Sequence, residues 1–188
     1  MREARTRIQV WPSPISAAQA AEASLRHSEI AAARGRAIWV EARPAEGGRG
    51  VIVAAGGDGG PQDLLAAPFS VRTRVHEYGG GALLGAGDAV YFVNHADQDI
   101  YELPGEGDPV RVSADERTRF ADMDLDGARR RLLAVGEYHG ESGHPQNFIA
   151  AVALEEGRRG AVKRLVEGAD FYAHPRVAPD GRTLSWME

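Results

Sequence analysis

The chain has 188 residues, 43% hydrophobic and 26% charged, with 23 Gly, 10 Pro and no Cys, which suits one sizeable globular domain with its own core. The absence of Cys excludes a disulfide scaffold, a thiolate zinc site and a Cys nucleophile. The net charge of −5, with Arg129-Arg130-Arg131 the only basic run, argues against a nucleic-acid partner.

No apolar run approaches the ~18 residues a membrane helix requires, and Met1 to Ile15 lacks an apolar signal segment. The chain is therefore read as soluble and cytoplasmic, with no membrane partner.

In chain order, residues 1 to 23 read as an N-terminal extension. Within it Ser16 caps a short Ala-rich helical turn from Ala17 to Ala23. A first strand is expected near Leu25 to Ile30. From there one cassette recurs: a Gly-bearing turn, a dense apolar strand, a polar gap and a second apolar strand. The first half appears as Arg34-Gly35-Arg36 before Ala37 to Val40, as Ala86-Gly87-Asp88 before Ala89 to Val93, as Asp126-Gly127 before Leu132 to Val135, and as Asp180-Gly181 before Thr183 to Trp186. The second half appears at Gly50 to Val53, Asp99 to Leu103 and Phe148 to Val152.

The spacing of roughly 40 to 55 residues is that of a four-stranded propeller blade. Strands such as Ala89 to Val93 are apolar on consecutive residues, so both of their faces are expected to be buried between neighbouring sheets. The expected fold is all-β: a partial β-propeller over 24–188, with blades near 24–66, 80–113 and 119–167 and a half blade over 171–188. A propeller closes into a ring, so open blade faces are expected to be covered by the rest of a larger protein or by self-association.

The candidate chemistry is sparse. Gly140-Glu141-Ser142-Gly143-His144 fails the last position of a nucleophile elbow and sits in a polar gap between strands rather than before a helix. Asp122-Met123-Asp124-Leu125-Asp126-Gly127 matches half of a calcium loop, but Leu133 stands where the bidentate Glu belongs; a strand with outward Asp residues ending in an Asp-Gly hairpin is the simpler reading. His139 and His144 with Glu137 and Glu141 form the one His-carboxylate cluster, in a spacing that matches no known zinc pattern. Gly79-Gly80-Gly81 lacks the Lys and the helix of a phosphate loop and is read as allowing close strand packing. Trp11, Trp39, Trp186, Tyr91, Phe92, Phe148 and Phe171 are spaced as core aromatics. No catalytic residue, metal site or cofactor is assigned.

The stretch Ser70-Val71-Arg72-Thr73-Arg74-Val75-His76-Glu77-Tyr78-Gly79-Gly80-Gly81 resembles the amino-terminal propeller of bacterial prolyl oligopeptidase family (S9) serine peptidases, nearest the dipeptidyl aminopeptidase and acylaminoacyl peptidase-like members. Trp11 to Ser16, Trp39 to Arg49 and Pro175 to Gly181 support the resemblance, which spans essentially the whole chain. It implies a propeller of about seven or eight blades over an α/β-hydrolase domain with a Ser, Asp and His triad, expected beyond Glu188. The chain then acts as a non-catalytic gate for peptide substrates, with the hydrolase domain as its partner; a stand-alone interaction module is the alternative, and a metal enzyme built on His139 and His144 a third reading. Within the stretch, Arg72, Arg74, His76, Glu77 and Tyr78 are the candidate substrate-binding residues. The competing view makes them a clasp between blades, in which Arg pairs with Glu and Tyr closes a hydrogen bond.

Overall fold

The computed structural model describes residues 14–16, 24–57, 59–141 and 143–188. The expected helical turn from Ala17 to Ala23, and Trp11, lie outside these residues. The regular structure of the described residues is antiparallel β, apart from two single 3-10 turns at Pro44–Glu46 and Gly127–Arg129.

Fourteen strands form four sheets. The first is a meander of β1 (Arg26–Ala33), β2 (Arg36–Arg43), β3 (Arg49–Ala54) and β4 (Gln62–Asp63). The second joins β5 (Leu83–Ala86), β6 (Ala89–Val93), β7 (Ile100–Leu103) and β8 (Val110–Arg111). The third joins β9 (Thr118–Asp126), β10 (Arg131–Tyr138), β11 (Gln146–Ala153) and β12 (Val162–Glu167), and the last is the hairpin of β13 (Ala173–Val177) and β14 (Leu184–Met187). The leading strands β1, β5, β9 and β13 lie side by side in that order, so the sheets fan out around their first strands.

The double-sided burial expected of the dense strands is present. In β10, Leu132 and Ala134 face a large apolar cluster that runs through Ile38 and Ile52 of the first sheet, Val90, Phe92 and Ile100 of the second and Phe120 and Phe148 of the third. The next residue, Val135, on the opposite face, joins a second cluster with Ala121, Ile149, Val75 and Tyr172. The sheet is thus a wall between two cores, which is why its sequence runs apolar without alternation. Phe92, Phe120 and Phe148 are fully buried, each contributing about 1.5–3 kcal/mol from apolar area removed from water.

Two expectations about side chains need correction. Phe171 is 62% exposed and packs edge-on against His76 rather than in a core. The Asp residues of β9 do not face outward: Asp126 is buried under Arg129 and Arg131, and Asp122 and Asp124 accept hydrogen bonds from the backbone N–H groups of His174 and Val177 in the neighbouring hairpin. The turn after Asp126 is the 3-10 turn, with Arg130 in the left-handed region at φ 47°, not a two-residue Asp-Gly hairpin.

The leading strands share one irregularity. β1, β9 and β13 each carry a bulge whose first residue has positive φ: Glu29 at 49°, Asp122 at 52° and His174 at 51°. Gly81, at φ 68°, holds the same place two residues ahead of β5. These residues join the sheets. The Glu29 carboxylate accepts from Leu83 N–H at 2.8 Å, Asp122 N–H donates to Gly81 O at 2.7 Å, and Asp122 Oδ2 accepts from His174 N–H at 2.6 Å.

A methyl group at Gly81 would sit 2.8 Å from the Asp122 backbone as well as in left-handed geometry. Gly81→Ala is therefore expected to destabilise by more than the ~1–2 kcal/mol of the conformational term alone, and more than Gly87→Ala, where φ is 61° but the space is open; urea midpoints of the two variants decide this, equal losses being the contrary result. Burial raises the Glu29 carboxyl above its ordinary 4.5, against the lowering effect of the Leu83 and Ala82 backbone hydrogen bonds, with the Asp122 charge adding to the rise. The folded state thus holds the Glu29 proton more tightly, and this residue's contribution to stability falls as pH rises above about 4.5. Glu29→Gln is expected to gain on the wild type through that window; a stability difference that does not change with pH would contradict it.

Candidate functional site

The segment from Val71 to Gly81 crosses from the first sheet to the second and runs along the end of the sheets where β5, β9 and β13 begin. Its burial alternates: Val71, Thr73 and Val75 are buried, whereas Arg72 and Arg74 are exposed. This is the period of an extended chain with one face on a core. Val71 N–H donates to Gly50 O at 2.9 Å, Arg72 N–H to Val93 O at 3.1 Å, and Thr73 Oγ1–H to Phe120 O at 2.6 Å, so the segment is stitched to three sheets in turn.

At Val75 the chain turns. Glu77 N–H donates to Arg74 O and Gly79 N–H to Val75 O, with His76 and Glu77 both in the left-handed region. The turn lies over Glu137 of β10, which is 2% exposed. One Glu137 oxygen accepts from His76 N–H at 2.7 Å; the other meets His139 Nε2 at 2.6 Å and Arg119 Nη1 at 3.3 Å. Arg119 also donates to Glu77 Oε1 at 2.6 Å and to Arg74 O at 2.9 Å. A buried carboxylate is tolerable only with such partners. The Arg119 hydrogen bond and charge hold the exposed Glu77 carboxyl below its ordinary range.

Of the five expected residues, His76 and Glu77 join this network, and its other members, Arg119, Glu137 and His139, come from the third sheet. The Glu77 partner is Arg119, not Arg72 or Arg74. Tyr78 is 94% exposed and closes no hydrogen bond among the described residues, because the left-handed turn ahead of it throws its ring outward. Arg72 and Arg74 point to solvent. His76 lines a cleft of about 310 Å³ with Gly79, Gly80, Gly81, Asp122, Tyr172 and His174, and its Nε2 is buried without a partner there.

The other candidate clusters come apart. Ser142 lies outside the described residues, and its neighbours occupy the loop between β10 and β11. Among the described residues no three His, Asp or Glu side chains converge as a metal set, and His139 is engaged with Glu137. Asp122 accepts from Arg176 at 3.0 Å in addition to the His174 backbone, so the β9 carboxylates serve as ties between sheets. The Gly79 to Gly81 run does allow close packing, against the Thr73 carbonyl and the Asp122 backbone.

Removing the Arg119 side chain leaves Glu137 buried with only His76 N–H and His139. Arg119→Ala is expected to cost about 3–5 kcal/mol and Glu137→Ala about 1–3 kcal/mol for the groups it orphans. The double variant is expected to lose less than the sum of the two. Denaturant titration of the three proteins measures the coupling, and simple additivity would refute the network.

No family model and no curated protein matches the chain. Solved structures do. A Mycobacterium tuberculosis puromycin-hydrolyzing peptidase is 36% identical with a TM-score of 0.79, over 94% of this chain and 29% of that one. A puromycin hydrolase matches at 33% identity and a TM-score of 0.77, and its Ser-to-Ala mutant complexed with PGG at 34% and 0.78, each over 94% of this chain and 30% of that one. The chain spans less than a third of the length of these relatives. At more than 30% identity over 94% of the chain, these matches show that the chain belongs to the prolyl oligopeptidase (S9) family and corresponds to its propeller region.

Proposed function

We propose that this chain is the substrate-screening part of a serine peptidase: three four-stranded blades over 24–66, 80–113 and 119–167 and the start of a fourth over 171–188. Its work is to restrict which peptides reach the Ser of an α/β-hydrolase domain, its partner in the whole protein. The observation that carries this is 36% identity over 94% of the chain to a puromycin-hydrolyzing peptidase, of which it covers 29%. The whole protein would hydrolyse peptides as an aminopeptidase, acylaminoacyl peptidase or oligopeptidase, through an acyl-enzyme on its Ser, with no cofactor.

Arg72, Arg74, His76, Glu77 and Tyr78 are proposed as the peptide-facing groups. The exposure of Arg72, Arg74 and Tyr78, on a segment whose backbone is held at both ends, supports that role. Rigid presentation matters because a mobile segment would lose in ordering entropy what its contacts supply. Cytoplasmic location is part of the reading; it rests on the Cys-free sequence, and no helix among the described residues is long and apolar enough to cross a membrane.

The test is the intact mass of the native protein against the 20.2 kDa of this chain, with fluorophosphonate labelling of the product. A labelled product several-fold heavier is expected. An unlabelled 20.2 kDa product would overturn the gating reading in favour of a stand-alone interaction module, and sedimentation would then show self-association through exposed Ile30, Phe171 and Met187.

A further inference from the structure

Two guanidinium groups on the segment have no ion-pair partner among the described residues. Arg43, Arg49, Arg111, Arg119, Arg129 and Arg131 all pair with carboxylates. The side chains of Arg72 and Arg74 form no hydrogen bond or ion pair among the described residues, and they leave the same side of an extended stretch, two residues apart.

Their backbone is fixed from below by one buried side chain. Gln98, 3% exposed, accepts from Arg74 N–H at 2.7 Å and donates through Nε2 to Arg72 O at 3.3 Å and His95 O at 2.9 Å. It does so from a left-handed backbone at φ 63°, a conformation that costs a non-glycine residue on the order of 1 kcal/mol and persists where the surroundings impose it. The same clamp places His95: Val71 bridges Asn94 and His95 N–H donates to Ser70 O at 2.7 Å, which sets His95 diagonal to Arg72. Burial, then the charges of Arg72 and Arg74, lower the His95 imidazole below its ordinary value.

The nearby acids are committed elsewhere. Asp97 accepts from Tyr101 Oη–H at 2.7 Å and Asn94 Nδ2–H at 3.1 Å, and Asp99 is held by Arg111 and Ser113. Glu77 feels Arg74 only as a distant charge and bonds to Arg119.

We propose that Arg72, Arg74 and His95, set in place by Gln98, form a carboxylate-recognition site, and that its ligand is the free C-terminal carboxylate of a peptide. Two forked donors side by side match the two oxygens and planar shape of a carboxylate. The choice of a peptide end rests on the reading of the chain as a peptide-screening unit. It gives that unit a polarity: peptides are held by their carboxy end at this rim.

The experiment titrates the isotope-labelled 188-residue chain with N-acetyl-tetraalanine bearing a free carboxylate, with its C-terminal amide, and with inorganic phosphate, following backbone resonances. The free acid is expected to shift residues 72–74 and 95–98, and to bind at least tenfold more tightly than the amide or phosphate. Arg72→Gln/Arg74→Gln, at exposed positions that leave the clamp intact, is expected to weaken it at least tenfold. Equal binding of acid and amide, equal binding of phosphate, unchanged affinity in the double variant, or no binding overturns the proposal. None of these outcomes bears on the native mass, so the two readings fail separately.

Discussion

The arrangement of the sheets depends on how their leading strands are tied to one another. Each tie is a short hydrogen bond made at a bulge: Glu29 reaches Leu83, Asp122 reaches Gly81 with its N–H and His174 with its carboxylate. A bulge turns one backbone residue out of the ladder and twists the strand, and a left-handed φ aims the freed groups sideways at the next sheet. The apolar clusters then fill the wedge that opens between sheets, which is why β10 and β11 are buried on both faces. Without the ties, two flat apolar faces would have many ways to stack; with them, the angle between sheets is specified.

The segment from Val71 to Gly81 uses the same logic at the rim. Its buried side chains hold it to the sheets, and the left-handed pair at His76 and Glu77 brings a main-chain N–H down on the Glu137 carboxylate. That carboxylate would be costly in an apolar wall; Arg119, His139 and the His76 N–H supply the compensating donors. The polar network and the apolar core are two parts of one packing solution, since Glu137 sits three strand positions from Ala134 and shares β10 with both clusters.

Much of this was legible in the sequence. Leu132 to Val135 and Ala89 to Val93 read as doubly buried strands because their β-branched and aromatic content, their short length and the flanking Gly turns favour strand over buried helix. The Gly-bearing turns marked the hairpins, and the run from His76 to Gly81 pointed to the family. The partners of the site were not legible. Glu77 and Arg119 are 42 positions apart and His76 and Glu137 61, so pairing them requires the relative placement of two sheets, which no local pattern encodes. Asp122 and Asp124 looked like outward residues of an alternating strand because a bulge leaves no mark in the order of side chains. Gln98 gave no signal at all, being one polar residue in a hairpin turn. The nearest hint was Glu137 itself, a lone carboxylate inside an apolar strand, which had to be buried with partners or misplaced.

The left-handed position at the head of each sheet carries a consequence for how the fold can change over time. Its occupants are Glu29, Gly81, Asp122 and His174: an acid with a long arm, no side chain, an acid with a short arm, and an imidazole. The fold asks all four for a left-handed backbone, at a cost of about 1 kcal/mol wherever the residue is not glycine, and it uses the side chains of two of them, Glu29 and Asp122, as ties to the next sheet. Gly81 and His174 make their ties with backbone groups, so there the dihedral angle alone meets the requirement. At His174 the side chain can therefore be exchanged among residues that tolerate a left-handed backbone, while the main-chain tie from its N–H to Asp122 stays the same.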